Sequence, residues 1–161
     1  MIGKLIHLLQ GLPKELITII VAALPIAELR GAIPVALSMK MSPISAFLWA
    51  VLGNMIPVIP ILLFLGPFSK WLRHFKIFDR FFVWFFNRTE KNSASIQKYG
   101  FWGLVIFVGI PLPITGAWSG CAAAFLLQIK FWKALLAIFL GVLMAGGIVM
   151  LASLGIIKAF F

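Results

Sequence analysis

Charge is what this chain has least of, and acid least of all. Aspartate and glutamate number 4 in 161 residues against 14 lysines and arginines, and charged residues are 11% of the chain, whereas a soluble domain carries about a quarter. With 1 cysteine and 2 histidines, neither a disulfide framework nor a Cys/His metal cluster can be assembled. The lone Cys121, in the run CAAAF, reads as a small buried thiol. Ser, His and Asp never fall into one plausible grouping. GAWSG (residues 116–120) also lacks the strand-to-helix setting of a nucleophile elbow, and its Gly116 and Gly120 read as a helix-packing GxxxG. The expectation is no enzyme, no cofactor and no metal site.

What is present is hydrocarbon. Apolar residues make up 63% of the sequence and the mean hydropathy is +1.11, more than a domain of this length can hide from water. The composition predicts an all-α integral membrane protein of one domain, residues 1–161. Four apolar blocks stand out against the roughly 20 residues a helix needs to cross the hydrocarbon core. Leu16–Leu37 contains Pro25, Gly31 and Pro34; Pro43–Leu65 is interrupted by Pro57 and Pro60; Phe101–Leu127 is broken by Pro111, Pro113 and Gly116; Ala134–Ile157 has neither charge nor proline. The opening residues, with Lys4 and His7, lack a small-residue cleavage site and are expected to stay as a short interfacial helix.

Between the halves lies a different composition. Phe68, Trp71, Leu72, Phe75, Phe78, Phe82 and Phe85 recur at helical spacing, interleaved with Lys70, Arg73, Lys76 and Arg80. That pattern predicts an amphipathic helix lying in the bilayer interface. The net charge of +10 then reads as attraction to anionic lipid headgroups, with membrane lipid and no nucleic acid as partner. Seven Lys and Arg between Lys70 and Lys98 assign this connector, residues 67–98, to the cytoplasmic side.

The flanking halves, residues 1–66 and 99–161, resemble each other. A shift of 88 places Pro25-Ile26 on Pro113-Ile114, Ala36 on Ala124, Ala46 on Ala134, Leu48 on Leu136 and Leu52-Gly53 on Leu140-Gly141. Proline and glycine matches weigh most because these residues set backbone shape. Prolines and glycines at corresponding places in two halves point to discontinuous membrane helices, whose exposed backbone groups form a site near the midplane. Such backbone is tolerated only where protein or a water-filled cavity covers it.

At the first break sits LPIAELRGAIP (residues 24–34), carrying an acid and a base two residues apart. On a continuous helix Glu28 and Arg30 point about 200° apart and cannot pair with each other. Either they clamp other partners or they form a functional site, as intramembrane charges commonly do. Asn54, Thr115 and Trp118 are further lining candidates, since a polar side chain in a membrane segment needs a partner; each also fits helix packing or interface anchoring.

ELRGAIP (residues 28–34), LGN (52–54) and PLPITGAWSG (111–120) resemble the small multidrug export proteins of bacteria and archaea, along nearly the whole chain. That group in turn resembles the DedA superfamily, whose members have two inverted re-entrant hairpins, each followed by a transmembrane helix, and include lipid-carrier translocases and scramblases. The arginines that the DedA pattern has around the second proline motif are absent, with Ile110, Gly116 and Trp118 in that neighbourhood. The resemblance implies a multi-pass protein of a prokaryotic plasma membrane and a secondary transporter. Glu28 is then the proton-linked carboxylate and Arg30 the holder of an anionic group or of the carboxylate itself; the substrate is a small molecule or lipid, and a homodimer is expected. A DedA-like lipid flippase or scramblase is the alternative, and a structural subunit without cargo a third. Two topologies are compatible with the charges: re-entrant hairpins, with both termini opposite the basic connector, or four full crossings, with the termini beside it. The half-to-half match favours the hairpins.

Overall fold

Proline placement explains where the helices start and stop. The computed structural model describes residues 11–72, 93–111 and 115–160, and seven helices without a strand occur among them. The segment around Lys4 and His7, the interior of the basic connector and Pro113 lie outside the described residues. Helix α1 (Lys14–Ala23) ends at Leu24, which is extended (φ −75°, ψ 134°) because the ring of Pro25 excludes the helical conformation from the residue before it. A short link leads into α2 (Glu28–Ser38). Gly31 and Pro34 were expected among the breaks and instead lie inside α2. The N–H of Gly31 bonds to the Ala27 carbonyl at 2.8 Å, and Pro34 removes only the bond that would have reached the Arg30 carbonyl.

Ser42 opens α3 (Pro43–Met55), its hydroxyl accepting from the Ser45 N–H at 3.3 Å with Pro43 in the first helical position, where its missing N–H has no consequence. The helix pauses at Ile56-Pro57 and resumes as α4 (Val58–Leu72). Of the two prolines expected to interrupt this block, only Pro57 does. Pro60 falls in the first turn of α4, whose N–H groups have no intrahelical acceptor anyway. The second half supplies α5 (Ser93–Gly109), α6 (Ala117–Leu126) and the uninterrupted α7 (Phe131–Phe160).

Two stretches, Pro43–Leu65 and Phe131–Gly155, are long and apolar enough to cross a membrane. With the composition, they make this a membrane protein. The other described helices are shorter: at about 1.5 Å per residue, α1, α2 and α6 each reach only about half of the roughly 30 Å hydrocarbon core.

The two halves share details beyond proline. After α2 the chain turns through Lys40 at φ 60°, and after α6 through Gln128 at φ 53°. Both turns use the same bonds: Lys40 N–H to Leu37 O (2.9 Å) with Met41 N–H to Ala36 O (3.1 Å), and Gln128 N–H to Phe125 O (3.0 Å) with Ile129 N–H to Ala124 O (2.9 Å). These are Schellman caps, which satisfy otherwise orphaned C-terminal carbonyls. They lie 88 residues apart, the offset found in the sequence. Packing follows the same offset: α1 lies against α3 as α5 lies against α7, while α2 contacts α7 and α6 contacts α4.

Small side chains let these helices approach. Ala36 and Ala124, and Ala46 and Ala134, are matched pairs, all fully buried, consistent with the small-residue interfaces of helices packed in lipid. Glycine is required where backbone meets backbone. A Cβ on Gly53 would lie 2.6 Å from the Ile19 carbonyl oxygen, and one on its counterpart Gly141 would lie 2.9 Å from that of Val105. We predict that Gly53→Ala and Gly141→Ala each destabilise the protein by about 1–3 kcal/mol through overpacking. Gly147→Ala, with nothing within 4 Å, has no such clash and gains about 0.5–1 kcal/mol of helix propensity. Thermal unfolding in detergent micelles orders the three.

Candidate functional site

The site forms where the break of one half meets the break of the other. Glu28 is the first residue of α2, and its backbone is left-handed at φ 45°, a conformation that costs a residue with a Cβ about 1–2 kcal/mol. The twist delivers its carboxyl group to the start of α6. There the carboxylate accepts from the N–H of Trp118 at 3.4 Å, with the N–H of Ala117 also directed at it. Gly116, the N-cap of α6, supplies no side-chain cap of its own. Glu28 therefore caps α6 from the opposite half, its negative charge meeting the positive end of the helix dipole. Only 9% of Glu28 is exposed.

Gly116 is the slot for this contact. A Cβ there would land on Glu28 Oε2, so any larger residue evicts the carboxylate. The pair expected to be GxxxG packing thus divides its work. Gly120 does pack, a Cβ on it meeting Val108 Cγ2 at 2.5 Å, while Gly116 admits an acid.

Arg30 points elsewhere, as the spacing required. Its Nη2 donates to the carbonyl of Thr115, and Glu28 and Arg30 form no direct ion pair with each other. The Thr115 hydroxyl donates to the Ile110 carbonyl across the second break. Trp118 contributes twice: its backbone N–H to Glu28, and its indole N–H to the Ala23 carbonyl at 3.2 Å. Ala23 ends α1, so that carbonyl has no acceptor role within the helix. Four of the five expected site residues thus meet here, with Pro25 and Pro111 alongside.

Asn54 reaches the site from α3. It is 1% exposed and its Oδ1 has no hydrogen-bond partner, which is costly in an apolar interior. It lines a cavity of about 10 Å³ together with Glu28, Arg30, Thr115 and Gly116, walled by Val108, Val142, Ala145 and Val149; that is about the room of one water. A second pocket, of about 110 Å³, shares Glu28, Arg30 and Thr115 with it and is lined also by Pro25, Ile26, Trp118 and Ser119. Glu28 borders both spaces. Among the described residues no group of three or more His, Cys, Asp or Glu could hold a metal ion.

The roles of the Ala117 and Trp118 amides and of the Thr115 carbonyl belong to the backbone, which residue types do not reveal. One signal did exist in the sequence: the 88-residue shift that pairs the halves carries Glu28 onto Gly116.

If Glu28 caps α6 through the Gly116 slot, the two residues are energetically one unit. Glu28→Ala is predicted to cost about 1 kcal/mol, within the range for a lost cap. Gly116→Ala is predicted to cost a similar amount, and the double variant no more than either alone. A double-mutant cycle on thermal unfolding in micelles measures the coupling; additive losses would remove the capping contact from the account.

No curated protein and no solved structure matches the chain. A family model described as "Putative small multi-drug export protein" matches residues 28–148, a span that begins at Glu28, contains both breaks and covers three quarters of the sequence. The chain belongs to this small multi-drug export family.

Proposed function

We propose that the protein is a proton-coupled secondary transporter of the small multidrug export type, carrying small amphiphilic molecules, multi-pass in the plasma membrane of a prokaryote, with Glu28 and Arg30 as its working groups. The family description supports a transport role in a membrane. The observation that carries the reading is the cross-capping itself. An acid from one half holds the helix start of the other, so a change in that acid's protonation acts directly on how the halves fit together. Intramembrane carboxylates commonly serve as proton relays, and sites between broken helices commonly bind the cargo of transporters.

In this reading the halves are an inverted repeat. The α1–α2 and α5–α6 pairs are hairpins that enter and leave on one face, and only 43–65 and 134–157 cross. Support comes from the shortness of α1, α2 and α6 and from the turns repeated at Lys40 and Gln128. Two crossings enclose no path alone, so the working unit is a homodimer, acting on lipid-dissolved cargo without enzymatic chemistry. A second reading, a DedA-like lipid translocase, is favoured by one feature: an apolar groove of about 870 Å³ between α3 and α7, lined by residues such as Val51, Leu52, Leu136 and Phe139, where an acyl chain fits. Reversal of fluorescent-lipid asymmetry in proteoliposomes at neutral, ungraded pH is the result that would select it.

Two measurements test the main reading. In everted vesicles with an imposed pH gradient followed by a pH-sensitive dye, adding cargo from a panel of cationic, neutral and anionic amphiphiles changes the gradient with the native protein. Glu28→Gln abolishes that response; an unchanged response in this variant overturns proton coupling through Glu28. For topology, single cysteines are placed at Lys4 and at Asn92 in Cys121-free protein. The hairpin reading has them label from opposite sides of the membrane, and labelling from the same side removes it.

A further inference from the structure

Resting on that transport reading, the geometry identifies the chemical class of the cargo. The start of α6 bears a positive partial charge and N–H groups without an intrahelical acceptor, and α6 is 10 residues long with no cap of its own. Arg30 stands beside it. Remove Glu28 and what remains is a cationic site. Glu28 occupies it as any carboxylate ligand would.

The second observation is Asn54. Its amide oxygen is buried and without a partner, and it faces the small cavity that Glu28 also lines. An ionised carboxylate is acceptor-only and offers Asn54 Oδ1 nothing. A protonated carboxyl carries an O–H, and Oδ1 is the acceptor it lacks elsewhere. The cavity is about one water wide, enough for a direct bond or one bridging water. The orphan oxygen is explained if it serves the other protonation state.

We propose that the start of α6 together with Arg30 is the binding site for an anionic group, carboxylate or phosphate, on the cargo, and that Glu28 is its built-in competitor, withdrawn when a proton turns its carboxyl toward Asn54. The anion enters through the pocket beside Trp118, which Glu28 and Arg30 line and Asn54 does not. One proton and one anion then bind together and are taken up from the same side. Among the described residues, the other titratable or charged groups that bear on Glu28 are Arg30 on its own helix and Cys121 on α6; the facing positions of α3, α5 and α7 are Asn54, Val108 and Val142, none of which titrates. The switch therefore belongs to Glu28.

The test uses the full chain in nanodiscs of zwitterionic lipid, with octanoate as the probe anion and decyltrimethylammonium as the cationic control, followed by calorimetry at pH 5.5 and pH 8. The native protein is expected to bind octanoate at least about tenfold more tightly at pH 5.5, a difference of about 1.4 kcal/mol. Glu28→Gln is expected to bind it equally at both pH values and more tightly than the native protein at pH 8. Arg30→Gln loses binding at both. Asn54→Leu, similar in shape, loses about tenfold at pH 5.5. Inorganic phosphate and nanodiscs containing phosphatidic acid are then used as competitors: displacement by the first supports the anion site with a free solute as source, and by the second with a lipid headgroup. Octanoate binding that is independent of pH in the native protein overturns the proposal without needing any variant to fold, and so does displacement of octanoate by the cation. Anion binding without proton-coupled transport would sink the transport reading and leave the site standing; transport of cations alone would do the reverse.

Discussion

A peptide group in hydrocarbon has no water to bond to, and the irregular stretches among the described residues are shaped by that penalty. Helix ends are the problem, since each leaves up to four donors or acceptors without intrahelical partners. At two of its interruptions, around Pro25 and Pro111, the protein satisfies the helix ends across the gap. Glu28 serves the donors that open α6, the Trp118 indole serves the carbonyl that closes α1, and Arg30 serves the carbonyl of Thr115. These three bonds join the first half to the second. A polar cluster in the middle of the molecule is the condition under which broken helices persist in lipid.

The fold around the cluster is correspondingly plain. Alanine and glycine line the contacts between α1 and α3 and between α5 and α7, so backbones approach closely without large interlocking side chains. Larger residues such as Ile44, Leu48, Leu52 and Leu151 point outward, where a soluble protein would place lysine. The buried hydroxyls of Thr18 and Ser153 bond back to carbonyls of their own helices, Lys14 and Val149. Among the described residues, Asn54 Oδ1 is the buried side-chain polar atom left over.

Much of this was legible from the order of residues, and the rest was hidden for identifiable reasons. Composition gave the solvent, and the prolines at 25, 57 and 111 marked real interruptions. The spacing of Glu28 and Arg30 indicated that they serve different partners, as they do. Gly31, Pro34 and Pro60 misled, because a breaker acts only where a helix would otherwise continue its hydrogen bonding, and that depends on where the helix begins. The partners of the charged pair were invisible for another reason: they are amides and carbonyls, which every residue has. Only the fold tells which of them are free.

Glu28 and Gly116 occupy equivalent places in the two halves, and they fill one point in space between them. One half brings the charge and the other brings the vacancy. Two copies of the first half, placed face to face, would force a pair of carboxylates into a single slot; two copies of the second would leave a pair of bare helix starts with nothing between them. The halves are therefore not interchangeable. Whatever the likeness between them, the polar centre depends on the difference, and only a chain carrying both in tandem contains the whole of it.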